Sequence, residues 1–278
     1  MEKHPIRNFR TYLSHKAKII NNALSEVMPM ENERPTILHS AMRYAVFSGG
    51  KRIRPVLCMA VCAACGGNEE KALYPAISLE LLHSYTLIHD DLPCMDNDVI
   101  RRGKPTVYTI FGEANALLAG DALQTLAFHT AAIAVPPASY PSTQFVVELA
   151  DAAGSKGIVG GQVEDLAAIN KKNSLSDMNF IHERKTAYLF RAASRMGAIA
   201  AGAPPEILEA MDKYGLYIGM IFQLTDDLLD MPSQNHAFNY AVTNGKAKTI
   251  QKIISLAKKA EITIKILPEN KGALLKSA

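Results

Sequence analysis

The stretch LIHDDLPCMDND, residues 87–98, places Asp90, Asp91, Asp96 and Asp98 within nine positions, directly after a strongly apolar run. Neighbouring carboxylates repel one another, and desolvating them costs far more than leaving them in water. The apolar run nevertheless predicts a buried helix that continues up to the first acid. These aspartates are therefore expected either on open surface or at a site where positive charge meets them.

A second acidic group, in the stretch QLTDDLLD (residues 223–230), also lies on an apolar helical segment. At about 100° per residue, Asp226 and Asp230 project from one face of that helix, and Asp227 lies beside them. The two groups could face each other across a helical bundle. Carboxylate oxygens suit Mg²⁺ rather than zinc, and a di-iron bundle would need Glu-x-x-His pairs. For either group alone, a solvated helix end is the alternative.

Helical periodicity dominates the rest of the chain, and alternating strand patterns are almost absent. Proline and glycine fall between the helical segments, where they end helices. Small residues recur inside the segments, which permits close helix packing. The pattern predicts an all-α fold, a single-domain helical bundle over residues 1–278.

Composition excludes several functional classes. The 278 residues are 48% hydrophobic and 21% charged, a globular balance, and the net charge of +3 is too small to indicate nucleic-acid binding. No run of about 18 apolar residues occurs, so no membrane span is expected. The beginning of the sequence, MEKHPIRNFRTYL, lacks an apolar secretory core.

Three of the four cysteines, Cys58, Cys62 and Cys65, fall in the Ala/Val-rich stretch RPVLCMAVCAACGG, and the fourth is Cys94. A metal or redox role for Cys62 and Cys65 is conceivable, but no second Cys or His pair lies at zinc spacing. Buried free thiols in a reducing compartment are the favoured interpretation. We therefore expect a cytoplasmic protein.

Basic residues precede and follow the first acidic group along the chain, and others precede the second. They occur in the stretches GGKRIRP, RRGKP and ERKTAYLFR, and comprise Lys51, Arg52, Arg54, Arg101, Arg102, Lys104, Arg184 and Lys185. Any one of them is most often a solvated charge. Cations that alternate with two carboxylate groups favour the binding of polyanions, partly through metal and partly through arginine. Two diphosphates would suit this pattern.

The motifs GGKRIRPVLC, LIHDDLPCMDNDVIRRGKPT, AGDAL, GGQVEDL, KTAYLF and FQLTDDLLD follow the order found in trans-isoprenyl diphosphate synthases. The chain resembles that family over about residues 35–232, with motif wording most similar to geranylgeranyl-type members. The resemblance implies the isoprenoid synthase fold, an all-α bundle around a deep central cavity, usually homodimeric. It implies a prenyltransferase that condenses isopentenyl diphosphate with dimethylallyl or geranyl diphosphate to farnesyl diphosphate, by Mg²⁺-assisted ionisation and carbocation attack.

The resemblance also implies roles for individual residues. Three Mg²⁺ ions would be held by the two acidic groups, Asp90, Asp91, Asp96, Asp226, Asp227 and Asp230. The allylic diphosphate would contact Arg101, Lys185 and Gln223. A metal-free pocket for isopentenyl diphosphate would include Gly50, Lys51, Arg54, His83 and Arg102. Thr186 would lie near the reacting carbons, so that Lys185, Thr186 and Arg101 form the catalytic set.

The resemblance also implies that Tyr85 and Thr86 form the floor of the pocket for the growing chain and so set product length. An aromatic residue at position 85 resembles farnesyl synthases, whereas LPCMDND resembles geranylgeranyl synthases. A fifteen-carbon product is expected, and a twenty-carbon product is the alternative. Tyr85 could also be an ordinary core aromatic.

The segment after Asp230 departs from the family pattern. It reads MPSQNHAFNYAVTNGKAKT, with Ala237 near the position of an expected lysine, unless Lys246 or Lys248 takes that role. A non-catalytic regulatory subunit of the same fold is therefore a second hypothesis, and the complete acidic motifs favour the enzyme. A terpene cyclase is a weaker third, because it would leave GGKRIRP without a purpose.

Overall fold

The computed structural model describes residues 9–168, 174–231, 239–268 and 272–276, and these residues are almost entirely helical. The helices, in chain order, are α1 (Phe9–Val27), α2 (Thr36–Phe47), α3 (Ile53–Ala64), α4 (Leu73–Asp90), α5 (Val107–Phe111), α6 (Glu113–Ile133), α7 (Gln144–Ala153), α8 (Ile158–Ala168), α9 (Leu175–Ile181), α10 (Tyr188–Ala200), α11 (Pro205–Asp230), α12 (Tyr240–Asn244), α13 (Lys246–Thr263) and α14 (Ala273–Lys276). The all-α prediction is confirmed. That residues 1–278 form one domain stays a prediction.

Two short irregular elements carry predicted site residues. A π-helical turn, His182–Ala187, joins α9 to α10 and contains Lys185 and Thr186. A two-stranded antiparallel ribbon, β1 (Ile100–Arg101) and β2 (Lys104–Pro105), follows the first acidic group.

Helix α4 lies at the centre of the bundle and packs against α3 and α6. It is buried on most sides, as its apolar sequence requires, with Ile77, Leu79 and Leu82 fully enclosed. Helix α10 packs against α3 and α11, and α11 also packs against α13. No helix in the described ranges is long and apolar enough to cross a membrane.

Glycines set how closely some helices approach. A Cβ at Gly161 of α8 would clash with the backbone of Lys185, and one at Gly219 of α11 would clash with Ala187. The π-helical turn is therefore held between α8 and α11. A Cβ at Gly197 of α10 would clash in the same way with the carbonyl of Cys58 in α3.

The four cysteines are free thiols, as predicted. Cys58 and Cys62 are buried in α3, and Cys65 is half-buried at its end. Burial raises the pKa of Cys62 and of Cys65 to about 12, which keeps both thiols protonated. Cys94 differs from the expectation, because it is exposed in the turn after α4.

We predict that Gly197→Ala destabilises the protein. At an exposed helical site the same change would stabilise by about 1 kcal/mol, through helix propensity. Here the added methyl group must push α10 away from α3, so a loss of about 1–3 kcal/mol in the free energy of unfolding is expected. Urea denaturation measures this change. Ser14→Ala on the exposed side of α1 is the control, and a Gly197→Ala protein of increased stability would contradict the prediction.

Candidate active site

A cavity of about 790 Å³ lies where α4, the start of α3, the ribbon, the π-helical turn and α11 meet. Most of the predicted site residues line it: Gly50, Lys51, Arg54, His83, Thr86, Asp90, Asp96, Arg101, Arg102, Lys185, Thr186, Gln223 and Asp226. Residues separated by up to 176 positions in the chain thus face one space. Sequence reasoning had not singled out Glu80 and the apolar lining residues Ile53, Leu87, Ile158, Leu189 and Phe222 as part of the site.

Asp90 and Asp96 face the cavity from the end of α4. The chain turns back after Pro93, and the amide of Asp96 donates to the carbonyl of Asp90 at 2.9 Å. Burial raises the pKa of Asp90 to about 6; Lys185 opposes the shift, and the negative charge of Asp96 adds to it. Burial also raises the pKa of Asp96. These carboxylates therefore lack sufficient positive charge around them.

Asp226 faces the same cavity from α11. Its pKa is raised by burial and by the negative charges of Asp230 and Asp227. Among the described residues, no three metal-ligating side chains gather around one point. Mg²⁺ binds through one or two protein carboxylates and takes its other ligands from water and substrate phosphates. The residues present fit that mode, because carboxylates with incomplete charge balance project into one cavity.

Three of the predicted metal ligands, Asp91, Asp227 and Asp230, do not line the cavity. Asp91 is buried and accepts a hydrogen bond from Nε of Arg101 at 2.6 Å. Asp227 is buried in α11, where it accepts hydrogen bonds from Nε2 of Gln223 and from the amide of Tyr240, both at 2.9 Å. Because these carboxylates are already hydrogen-bonded, they hold Arg101, Gln223 and the start of α12 in place. Asp230 is exposed at the end of α11.

A buried ion pair fixes the glycine loop that precedes α3. Arg52 has φ 54° and donates to Oε1 of Glu80 at 2.6 Å and to the carbonyl of Val46 at 2.5 Å. Gly50 has φ 131°, and a Cβ there would lie 2.8 Å from Nη1 of Arg102, which donates to the carbonyl of Gly49. Only glycine suits this position.

The same part of the cavity gathers several cations around the single acid Glu80, which is paired with Arg52. Nη1 of Arg54 lies 3.2 Å from Nε2 of His83, and its guanidinium packs over the ring of Phe190 at 4.6 Å. Burial, and then the charge of Arg54, lower the pKa of His83 well below its usual value, so the imidazole is neutral. Arg54, Lys51 and Arg102 therefore form a site that can bind an anion without metal.

Lys185 and Thr186 project from the π-helical turn into the cavity. Nζ of Lys185 donates to Oδ2 of Asp165 at 2.6 Å. Burial lowers the pKa of Lys185, but the charges of Asp165 and Asp90 outweigh it and leave the pKa raised. Thr186 donates to Oε1 of Gln223 at 2.7 Å. The ammonium is therefore charged and directed beside the carboxylates of α4.

Asp165 belongs to the motif GGQVEDL but was not predicted as a site residue. The sequence feature that indicates its role is its spacing of four residues from Gly161, which places both on one face of α8. Gly161 contacts the backbone of Lys185 and Asp165 holds its ammonium group. One helical face thus positions both ends of the lysine.

Tyr85 and Thr86, which the resemblance implies form the floor of the chain pocket, lie in different surroundings. Thr86 lines the cavity, whereas Tyr85 does not. The Tyr85 ring is buried against His89 at 5.5 Å, and its hydroxyl is hydrogen-bonded by Gln124 of α6. Successive residues of a helix differ by about 100°, which turns Tyr85 toward α6. The ring does not itself line the cavity, and its role as the floor of the chain pocket stays a prediction.

The lysines considered as replacements in the last segment lie away from the cavity lining. Lys246 and Lys248 are both exposed at the start of α13. Ala237, the position of the expected family lysine, lies outside the described residues.

Comparison with known proteins gives concordant matches. The family model of polyprenyl synthetases matches residues 35–261. The chain is 40% identical over 281 residues to the large subunit 1 of a heterodimeric geranylgeranyl pyrophosphate synthase from Arabidopsis thaliana, covering 96% of this chain and 74% of the relative. It is 40% identical over 276 residues to a chloroplastic geranylgeranyl pyrophosphate synthase from Capsicum annuum, covering 96% and 73%.

Solved structures match over nearly their whole length. An FPP/GFPP synthase from Zymomonas mobilis has a TM-score of 0.88 and 35% identity, with 97% of this chain and 96% of that chain covered. A geranyltransferase from Legionella pneumophila has a TM-score of 0.84 and 32% identity, with 97% and 93% covered.

We predict that Mg²⁺ stabilises the protein more at about pH 7.5 than at about pH 5. The folded-state pKa of Asp90, raised to about 6, means that the metal-free cavity takes up a proton as the pH falls through 6. Protons then compete with Mg²⁺, whose binding to the folded state raises Tm. Thermal melts with and without MgCl₂ at both pH values measure the effect.

Two variants control this experiment. Asp90→Asn should remove much of the Mg²⁺-dependent rise in Tm at the higher pH, whereas Asp151→Asn, an exposed residue of α7 outside the cavity, should preserve it. An equal rise at both pH values would contradict the assignment of these carboxylates.

Proposed function

We propose that this chain, a prenyltransferase that belongs to the polyprenyl synthetase family, condenses isopentenyl diphosphate with an allylic diphosphate such as dimethylallyl or geranyl diphosphate. One observation carries the proposal: carboxylates from α4 and α11 and a separate group of cations line the same cavity. That arrangement matches two diphosphates, one held through metal and one held directly.

Asp90, Asp96 and Asp226 are the residues that would hold Mg²⁺, with three ions expected. When bound, Mg²⁺ would act as a Lewis acid that stabilises the negative charge on the departing diphosphate. Lys185 and Arg101 add positive charge on the same side of the cavity, where the leaving oxygen would lie. Arg54, Lys51 and Arg102 would hold the second diphosphate without metal.

The reaction breaks the carbon–oxygen bond of the allylic substrate and forms a carbon–carbon bond to isopentenyl diphosphate, after which a proton leaves. Ile158, Leu189 and Phe222 would exclude water from the carbocation, because they line the cavity with apolar surface. Thr186 donates a hydrogen bond to Gln223, and Gln223 donates one to Asp227. These bonds fix the side chains of Thr186 and Gln223 at the cavity wall. The diphosphate released from the allylic substrate would accept this proton, so no base of the chain is needed.

We predict that Asp90→Ala and Asp226→Ala each lower kcat/KM by several orders of magnitude. The loss of an electrostatic clamp on the leaving group costs several kcal/mol of barrier, at about 1.4 kcal/mol per factor of ten. Radiolabelled isopentenyl diphosphate, incubated with each allylic substrate, gives the rates. Asp151→Ala is the matched control and should keep wild-type activity. Wild-type turnover in excess chelator would overturn the metal assignment.

We predict that Lys51→Ala raises KM for isopentenyl diphosphate more than KM for the allylic substrate. Lys51 is an exposed cation of the metal-free group and pairs with no carboxylate among the described residues. Arg54→Ala should act in the same direction, and its thermal melting must be compared, since Arg54 also packs on Phe190. Steady-state kinetics with each substrate varied measures both effects. Equal increases for the two substrates would show that the two pockets are assigned wrongly.

Product length is the finer part of the proposal. Beside Thr86, the contact between α4 and α6 is filled: Tyr85 packs on His89, and Gly120 of α6 leaves room for the His89 ring. A growing chain that reaches this contact would be stopped, which supports the fifteen-carbon product expected from Tyr85. A twenty-carbon product is the second candidate, because the chloroplast relatives at 40% identity are named geranylgeranyl pyrophosphate synthases.

We predict that Tyr85→Ala lengthens the product by opening the contact between α4 and α6. If Tyr85 serves only as a core residue, the variant should keep the wild-type product and lose about 3 kcal/mol or more of stability. Chromatography of dephosphorylated products, together with thermal melting, distinguishes these results. A wild-type protein that releases mainly twenty carbons would support the second candidate.

We also propose a homodimer. Helix α6 exposes Leu117, Leu118 and Ile133 at 47%, 54% and 49% of their surface, and such apolar side chains are suited to contact with a second copy. A regulatory role in a heterodimer is the competing assembly, because one relative is named as a heterodimeric subunit. The cavity carboxylates Asp90, Asp96 and Asp226 favour the catalytic assignment.

A further inference from the structure

Helix α13 and the turn that follows it are rich in lysine. Residues 246–266 contain six lysines and one acid, Glu261, whereas the whole chain has a net charge of only +3. Lys246, Lys248, Lys258 and Lys265 are exposed, and no carboxylate in the described part of the chain forms an ion pair with them. Such a basic segment attracts an anionic surface.

The same helix exposes large apolar side chains. Ile250, Ile254, Ile262 and Ile266 are 39%, 50%, 63% and 47% exposed. Ile250, Ile254, Lys258 and Ile262 follow at intervals of four, so each step turns by only about 40° and the four lie along one exposed strip. Ile266 continues this interval in the 3₁₀ turn Ile264–Ile266.

The inner side of α13 is already used for packing. Thr249 and Ala260 are buried, Ile253 and Leu256 pack on a small core with Leu224 of α11, and α13 as a whole packs along α11. The exposed isoleucines are therefore additional to those that the fold needs. We call the strip Ile250, Ile254, Lys258, Ile262, Lys265 and Ile266 the basic isoleucine face.

We propose that the basic isoleucine face binds the surface of an anionic lipid bilayer. Lysines beside exposed isoleucines match a membrane interface, where anionic headgroups meet the lysines and the apolar side chains enter the boundary with the acyl region. Nucleic acid would use the lysines but leave the isoleucines in water. In this mode the helix lies on the membrane surface and does not span the membrane. The proposal rests on the charge and exposure of the helix and is independent of the proposed reaction.

The position of α13 gives this contact a consequence. Its N-terminal end adjoins α12, whose Tyr240 amide donates to Asp227 of α11, and Lys252 lies over the Tyr240 ring at 4.1 Å. Asp227 in turn holds Gln223, which lines the cavity. A bilayer bound to the exposed face of α13 would thus contact a helix whose inner side packs on the elements that support the acidic end of the cavity.

Co-sedimentation of the full chain with vesicles tests the proposal. The vesicles are phosphatidylcholine alone or phosphatidylcholine with about one third phosphatidylglycerol, in low salt and in about 1 M salt, where the screening length falls to about 3 Å. We expect binding to the anionic vesicles, weak binding to the neutral ones, and loss of binding in high salt. No sedimentation with anionic vesicles, or equal binding to both kinds, would overturn the proposal.

Matched variants distinguish this face from general basicity. Lys258→Gln should weaken binding about fivefold, since a lysine near an anionic surface contributes about 1 kcal/mol. Ile254→Gln should weaken binding severalfold, whereas a purely electrostatic partner would not detect that change. Lys18→Gln and Ile37→Gln alter exposed residues elsewhere and should bind like wild type. Equal losses in the controls, or no loss with Ile254→Gln, would refute the assigned face.

Prenyltransfer assayed without vesicles provides an independent check on the variants. Lys258 and Ile254 lie outside the cavity lining, so both variants should retain wild-type rates. If vesicle binding fails while turnover persists, only the membrane proposal is refuted. If turnover is absent in the wild type while the vesicles still bind, only the proposed reaction is refuted.

Discussion

Carboxylates held on apolar helices without enough positive charge around them are the constraint on which the cavity depends. Asp90 and Asp96 at the end of α4 and Asp226 on α11 all have raised pKa values, with burial as the largest cause. Lys185 and Arg101 compensate this charge only in part. A bound cation would remove most of the cost, so the apolar bundle can tolerate acids that it would otherwise exclude.

The arrangement of these cavity carboxylates depends on neighbouring ion pairs in which both charges belong to the protein. The buried Arg52–Glu80 pair fixes the glycine loop, Asp91 holds Arg101, and Asp165 holds Lys185. Each pair holds its cation at a fixed place, and Arg52, Arg101 and Lys185 all line the cavity. The proposed binding of two diphosphates in one cavity rests on this combination of paired and unpaired charges.

The close approach of helices α8 and α11 to the backbone of the π-helical turn is also important for the site. Gly161 and Gly219 allow α8 and α11 to approach its two sides, and the turn directs Lys185 and Thr186 into the cavity. Helices that met through larger side chains would leave the lysine farther from Asp90. The small residues noted throughout the sequence therefore have a geometric effect at this site, beyond general packing density.

The sequence by itself determined the helical class, the two acidic groups and the main cations, because periodicity and charge spacing are local properties of the chain. The family resemblance supplied the roles of those residues. Only the tertiary structure decided which members of each group reach the cavity. Asp91 and Asp227 adjoin Asp90 and Asp226 in sequence, yet a rotation of about 100° turns them toward Arg101 and Tyr240. Tyr85 is turned toward α6 for the same reason, and Asp165 acquires a role only because α8 packs on the π-helical turn. Contacts between distant segments set these outcomes, and no local pattern contains them.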